Sequence, residues 1–211
     1  MTSVIVDYGS GNLHSVEKSF RKMANKLGAD NILLTSCPER VANAERIILP
    51  GVGAFAACRD SLSRSGLFEA VEHATIRRGV PFLGICVGMQ LLATVGLEHG
   101  HTPGFDWIPG QVEPVQPNDR KLKIPHMGWN ELGPSLHHPL FHGLPPVTDV
   151  YFVHSYHFVP KDPAAAIAWT DYSGPIVAAV ARDNICGVQF HPEKSQIAGL
   201  GIVGNFLSWR P

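Results

Sequence analysis

Up to about residue 107 the chain alternates between two hydrophobic periods, and this constrains its fold more than any other feature. "SVIVDYG" is a short β-branched run closed by a glycine turn, which predicts a strand. Leu13, Val16, Phe20, Met23 and Leu27 then recur at helical spacing until Gly28. "NILLTS" and "ERIILPGVGAF" predict a second and a third strand. "ACRDSLSRSGLFEAVEHATIRRG" predicts a helix broken near Gly66, "VPFLGIC" a fourth strand and "GMQLLATVGL" a helix after it. Strands joined through helices run parallel, with the helices as crossovers on the sheet faces. From about residue 108 the pattern changes: "GQVEPVQP", "PHMGWNELG", "VYFVHSYHFV", "AIAWT", "IVAAVARD" and "ICGVQFHP" read as strands separated by turns. "SQIAGLGIVGNFLSW" reads as a closing helix. The whole predicts an α/β protein: an open mixed, mostly parallel sheet flanked by helices, with additional antiparallel strands in the second half. No linker, repeat or low-complexity stretch interrupts it, so residues 1–211 are expected to form one domain.

Charge narrows the range of partners. Charged residues make up 17% and the net charge is −1, without the clustered Lys and Arg of a nucleic-acid footprint. No apolar run reaches the ~18 residues of a membrane span. "MTSVIVDYGSGN" lacks the basic and apolar regions of a signal peptide. The four cysteines, Cys37, Cys58, Cys86 and Cys186, are scattered in a way that does not read as a disulfide framework. A reducing, cytoplasmic setting is the expectation.

"FLGICVGMQLL" places Cys86 between Gly84 and Gly88, where a strand gives way to a helix. This is the thiol form of the nucleophile elbow G-x-S-x-G. A residue on so tight a turn has backbone packed on both sides, and glycines leave the room. The sulfur is then lifted above the carboxyl edge of the sheet, facing helix N–H groups that favour a thiolate. The bland alternative is a small buried hydrophobe, the usual fate of a free cysteine.

A thiolate nucleophile needs a base, and the base needs an orienter. In "GVQFHPEKS" the extended chain turns His191 and Glu193 the same way, with Pro192 stiffening the geometry. Glu193 can accept from one imidazole nitrogen and leave the other for the sulfur. Alone, "HPEK" also fits an exposed loop; with Cys86, a Cys-His-Glu triad accounts for more. The oxyanion donors are expected from backbone N–H groups: that of Val87, after the nucleophile, and that of Val52 in "LPGVGAF", at the end of the third strand. "DYGSGN" lacks the third glycine of a dinucleotide fingerprint and the Lys of a P-loop. The loop histidines 99, 101, 137, 138 and 142 lack a carboxylate or cysteine set at zinc spacing, so no metal is expected.

Together, "PGVGAF", "GICVGMQ" and "QFHPEKS" resemble the class I (triad) glutamine amidotransferases. "DYGSGNLHSV" and "KIPHMGWN" further resemble those members that serve a separate cyclase subunit in histidine biosynthesis. The resemblance spans Val4 to Phe206. It implies hydrolysis of L-glutamine to glutamate and ammonia, with Cys86 as nucleophile, His191 as base and Glu193 as its orienter. Gly53 and Gln90 resemble the residues that hold the backbone end of glutamine. Glu98 resembles the acid that meets its α-ammonium, and Ser155 and Tyr156 the segment that meets its α-carboxylate. Asn12, Met127 and Trp129 resemble positions near the partner. The implied partner is a cyclase subunit, a (β/α)₈ barrel, that uses the ammonia to make imidazole glycerol phosphate and aminoimidazole carboxamide ribotide. No cofactor is implied. Two other readings stay open: the glutaminase of another synthase, such as that for pyridoxal phosphate, and a stand-alone γ-glutamyl hydrolase.

Overall fold

The computed structural model describes residues 1–28, 31–119, 121–133 and 137–211. Its first half is the expected alternation. Strand β1 (Thr2–Val6) leads to α1 (Leu13–Leu27), β2 (Asn31–Thr35), a short α2 (Pro38–Ala42), β3 (Arg46–Gly51), α3 (Phe55–Arg64), α4 (Leu67–Glu72) and β4 (Phe82–Cys86). β3 and β4 are buried along their whole length, as expected of parallel strands covered on both faces. In α1 the predicted stripe packs inward through Val16, Phe20 and Met23, while Leu27, at its end, is exposed. Gly28 ends the helix with a positive φ of 63° that glycine adopts without strain.

The rest of the chain runs through α5 (Val87–Gln90), β5 (Val95–Gly96), β6 (Thr102–Pro103), β7 (Gly110–Pro114) and β8 (His126–Leu132). It continues with β9 (Thr148–His154), β10 (Tyr156–Pro160), β11 (Ala166–Asp171), β12 (Pro175–Arg182), β13 (Ile185–Val188) and α6 (Gln196–Ser208). The main sheet has the order β11-β12-β13-β4-β3-β1-β2. It is parallel from β13 to β2 and antiparallel at β11 and β12. A second sheet, β10-β7-β5-β6, and the pair β8-β9 are added by the strands from β5 to β10. From β1 the chain steps one way to β2, whereas β3 steps the other way to β4. Right-handed crossovers therefore place α1 on one face of the sheet and α3 and α4 on the other. α6 closes over α1, with Phe20 edge-on to Phe206 at 6.4 Å. The parallel order brings the carboxyl ends of β1, β3, β4 and β13 to one edge, where open α/β sheets hold their ligands.

Two segments differ from expectation. The helix expected over "GMQLLATVGL" stops at Gln90, because its carbonyls are claimed from outside. Phe105 N–H donates to Leu91 O, the N–H groups of Trp107 and Ile108 to Leu92 O, and Asp106 N–H to Ala93 O. The run "VYFVHSYHFV" is two strands rather than one. It breaks at Ser155, where the chain leaves the β8-β9 pair for the second sheet. The short α2, β5 and β6 carry no hydrophobic period long enough to be foreseen. Among the described residues, no helix is long and apolar enough to cross a membrane.

Candidate active site

The end of β4 is built around clearance. A Cβ at Gly84 would lie 2.4 Å from the carbonyl oxygen of Gly88, and one at Gly88 would lie 1.9 Å from that of Leu49. Neither position tolerates a side chain. Between them Cys86 sits at φ 55°, ψ −112°. For a non-glycine residue such a conformation costs about 1–3 kcal/mol and persists only where the surroundings over-determine it. The strand arrives fully buried, turns within one residue and leaves as α5, which aims the sulfur at the carboxyl edge. The other cysteines are placed differently. Cys37 precedes α2. Cys58 lies in α3 and Cys186 in β13, and burial pushes both of these thiols up.

His191 follows β13, the strand beside β4. Its Nδ1 lies 2.8 Å from Glu193 Oε1, and both side chains are almost fully buried, at 3% and 2% exposure. The route to this pairing differs from the strand alternation expected. β13 ends at Val188, and Pro192–Lys194 form a single 3₁₀ turn that folds Glu193 back onto the ring. The turn is locked from behind: Ser195 Oγ donates to His191 O at 2.7 Å and accepts from Tyr151 N–H at 3.0 Å. The Nε2 atom of His191 is buried and, among the described residues, makes no hydrogen bond. Burial alone would push the ring down in pKa. The Cys86 sulfur and the Glu193 carboxylate outweigh that and raise it to about 9.

β3 pairs with β4 so that Gly51 sits opposite Cys86, which puts the "PGVG" turn beside the elbow. In this conformation the Val52 N–H donates to Ser10 Oγ at 3.2 Å, and Val52 O accepts from the same hydroxyl at 2.5 Å. Ser10 thus holds both ends of the residue expected to supply an oxyanion donor. Gly51 serves space rather than a positive φ: a Cβ there would meet the Tyr8 hydroxyl at 2.6 Å. The positive φ, 105°, falls on Gly53.

A cavity of about 320 Å³ opens over these groups. Val52, Gly53, Cys86, Val87, Gln90, Glu98, Ser155, Tyr156 and His191 all line it, so the structure brings together the expected nucleophile, base and substrate-facing positions. Two of these side chains are already engaged. Glu98 accepts from the Phe55 N–H at 2.7 Å, at the start of α3, and the Gln90 amide donates to Tyr156 O at 3.0 Å. Asn12, Met127 and Trp129 lie outside the cavity. Asn12 is exposed before α1, and Met127 and Trp129 are 60% and 49% exposed on one face of β8. Several residues at the site went unnoticed in the sequence, among them His154, which lines the cavity. Gln189, fully buried, points its amide at Cys86 Sγ (3.6 Å) and accepts from Gln90 (3.0 Å). Its signal was there, two residues before His191. Lys194, the last residue of the turn that carries Glu193, lines the cavity. Ser10, read only as part of a glycine turn, gave no signal.

The family model for class-I glutamine amidotransferases matches residues 4–207. The imidazole glycerol phosphate synthase subunit HisH of Cereibacter sphaeroides is 54% identical, covering 100% of both chains. The subunit of the same name from Caulobacter vibrioides is 52% identical, over 100% of this chain and 99% of its own. A solved glutamine amidotransferase superimposes with a TM-score of 0.69 at 16% identity, covering 94% of each chain, which speaks to the fold. This chain belongs to the class-I glutamine amidotransferase family, within its branch of imidazole glycerol phosphate synthase HisH subunits.

Proposed function

We propose that the chain, acting as one glutamine amidotransferase domain, hydrolyses L-glutamine through Cys86, His191 and Glu193 and hands the ammonia to a cyclase subunit. Cys86 Sγ attacks the side-chain amide carbon of glutamine, and its proton resides on His191 Nε2. The tetrahedral intermediate collapses as His191 gives that proton to the leaving nitrogen, which departs as ammonia and leaves a glutamyl thioester. Water, deprotonated by His191, then attacks the thioester. Glutamate leaves and the thiol is restored. The observation that carries this reading is the division of the His191 ring: Glu193 occupies Nδ1, while Nε2 is buried without a hydrogen bond among the described residues and the ring lines the same cavity as Cys86. Gly53, Gln90, Glu98, Ser155 and Tyr156 are the proposed surroundings of the amino-acid end of the substrate. Val87 and Val52 are the proposed oxyanion donors.

The partner is proposed from the relatives' printed name and from the exposed Met127–Trp129 face, with Asn12 nearby in role. With Val52 held by Ser10, the free chain lacks its second oxyanion donor. An absent donor costs roughly 10²- to 10³-fold in rate. Docking of the cyclase subunit would turn the Val52 peptide and prevent idle hydrolysis. Four free thiols are compatible with a cytoplasmic location. The test is a glutaminase assay with and without the cyclase subunit from the same genome. Stimulation of at least about 10²-fold is expected, as is loss of turnover in Cys86→Ala. With free ammonia supplied, the Cys86→Ala complex should still make product. Full glutamine turnover without the cyclase would favour a stand-alone hydrolase instead.

A further inference from the structure

Two buried histidines take no part in the chemistry proposed above. His126 and His154 face each other across the β8-β9 ladder, with His126 Nδ1 2.9 Å from His154 Nε2. His154 Nδ1 lies 2.9 Å from Tyr156 O, and Asn130 Nδ2 lies 3.2 Å from His126 Nε2. The proton positions follow from one fact: a carbonyl oxygen only accepts. His154 Nδ1 therefore carries the proton, and in the neutral ring Nε2 is the acceptor. His126 must then donate from Nδ1 and accept at Nε2, and the Asn130 amide supplies that last donor. All four ring nitrogens are satisfied by one arrangement. Burial pushes His126 down to about 4 and His154 to about 3, so both rings stay neutral near pH 7. Stacking fixes the first ring: Phe152 lies 4.8 Å from His126 on one side and Tyr172 4.1 Å on the other.

This relay of hydrogen bonds ends on a carbonyl at an open sheet edge. Among the described residues, β10 is the outer strand of its sheet and pairs only with β7. Ser155 O is taken by Val115 N–H on that inner side. Carbonyls alternate along a strand, so Tyr156 O points to the open edge. It is met there from two directions, by His154 Nδ1 and by the Gln90 amide at 3.0 Å. Gln90 also donates to Gln189, and Gln189 reaches Cys86 Sγ.

We propose that His126 and His154 are positioning residues for glutamine. They fix the Ser155–Tyr156 turn of the pocket from the ribbon whose outer face carries Met127 and Trp129. This rests on the functional reading above and extends it: His154 lines the cavity, and His126 acts through it. The turn meets the end of glutamine remote from the scissile amide, so a slack turn weakens binding more than it slows chemistry.

The experiment titrates L-glutamine calorimetrically into the complex of the Cys86→Ala chain with the cyclase subunit, in which no turnover occurs. Adding His154→Leu should weaken glutamine about tenfold, as the loss of one positioning hydrogen bond implies. Adding His154→Asn should stay within about twofold, because the asparagine amide holds a donor at the same distance from the backbone as Nδ1. His126→Phe keeps the ring stack but removes the donor, and should also weaken binding. It decides the matter where His154→Leu does not fold. Equal losses in the Leu and Asn variants, or unchanged affinity in His154→Leu and His126→Phe, would overturn the proposal. Failure of the Cys86→Ala parent to bind glutamine would be seen before any histidine is changed. It would sink the functional reading and this inference with it.

Discussion

β3 and β4 are neighbours in the sheet, and Gly51 stands opposite Cys86, yet the two strand ends are built in opposite ways. The β4 end is closed. Two glycines pack where no Cβ fits, Cys86 holds a positive φ, and every residue from Phe82 to Gln90 is buried. The β3 end is open. Val52 is 43% exposed, no described neighbour lies within 4 Å of a Cβ placed at Gly53, and the turn is held by the Ser10 hydroxyl, with the Cys58 thiol donating to Val52 O at 3.6 Å. The nucleophile is therefore set by the fold itself, before any substrate or partner arrives. The oxyanion side is set by a contact worth about as much as one or two hydrogen bonds. Such a contact can be exchanged for another when a partner docks.

The largest effect should come from the closed side. Glu193→Gln leaves the turn in place but removes the charge that supports the His191 imidazolium, and turnover in the complex should fall about 10²- to 10⁴-fold. The residual activity should also shift with pH. In the wild type His191 is raised to about 9, so the protonated ring persists through neutral pH and turnover declines as pH rises through that value. Without Glu193 the alkaline limb should move to lower pH. The linked stability has the same sign. A histidine whose folded pKa is raised contributes fully below its unfolded value of ~6.5 and loses that contribution as pH rises through about 9. The melting-temperature gap between wild type and Glu193→Gln should accordingly be widest at or below about pH 6.5 and close above pH 9. A gap that widens with pH would contradict the assignment.

Trp129→Ala tests whether the exposed face of β8 belongs to an interface. The ring is half exposed and touches Tyr151 edge-on at 6.0 Å. The free chain should melt within a few degrees of wild type, while the complex with the cyclase subunit weakens by about 2 kcal/mol. The opposite ranking would make Trp129 part of the core. The smallest effect is the most specific. Ser10→Ala removes the hydroxyl that holds Val52, so glutamine hydrolysis by the free chain should rise by up to about tenfold, with the rate of the complex unchanged. An unchanged or lower basal rate would mean that Ser10 does not restrain the turn.

What the sequence disclosed follows the same division. The closed side was legible because its signals are local. β-branched runs give the strands, helical spacing gives α1, and flanking glycines mark the elbow at Cys86. The histidine and carboxylate lie two residues apart in "HPE", although a 3₁₀ turn, not strand alternation, brings them together. The open side was legible only in part, because its contacts are long-range. Ser10 meets Val52 across 42 residues; the closed side hides one contact of the same kind, Gln189 to Cys86 across 103. α5 was overestimated for a related reason: the carbonyls that would extend it are claimed by residues 105–108, and no local period reports that competition. The histidine pair at 126 and 154 becomes visible only once β8 and β9 are in register.

The most direct test of the account labels the free chain, without any partner, with a chloroketone analogue of glutamine and maps the adduct by peptide mass spectrometry. A nucleophile fixed by the fold should react before docking. Label is expected on Cys86 alone among the four cysteines, and it should be lost in His191→Ala. Label mainly on Cys37, Cys58 or Cys186, or an unreactive Cys86 in a folded chain, would contradict the account.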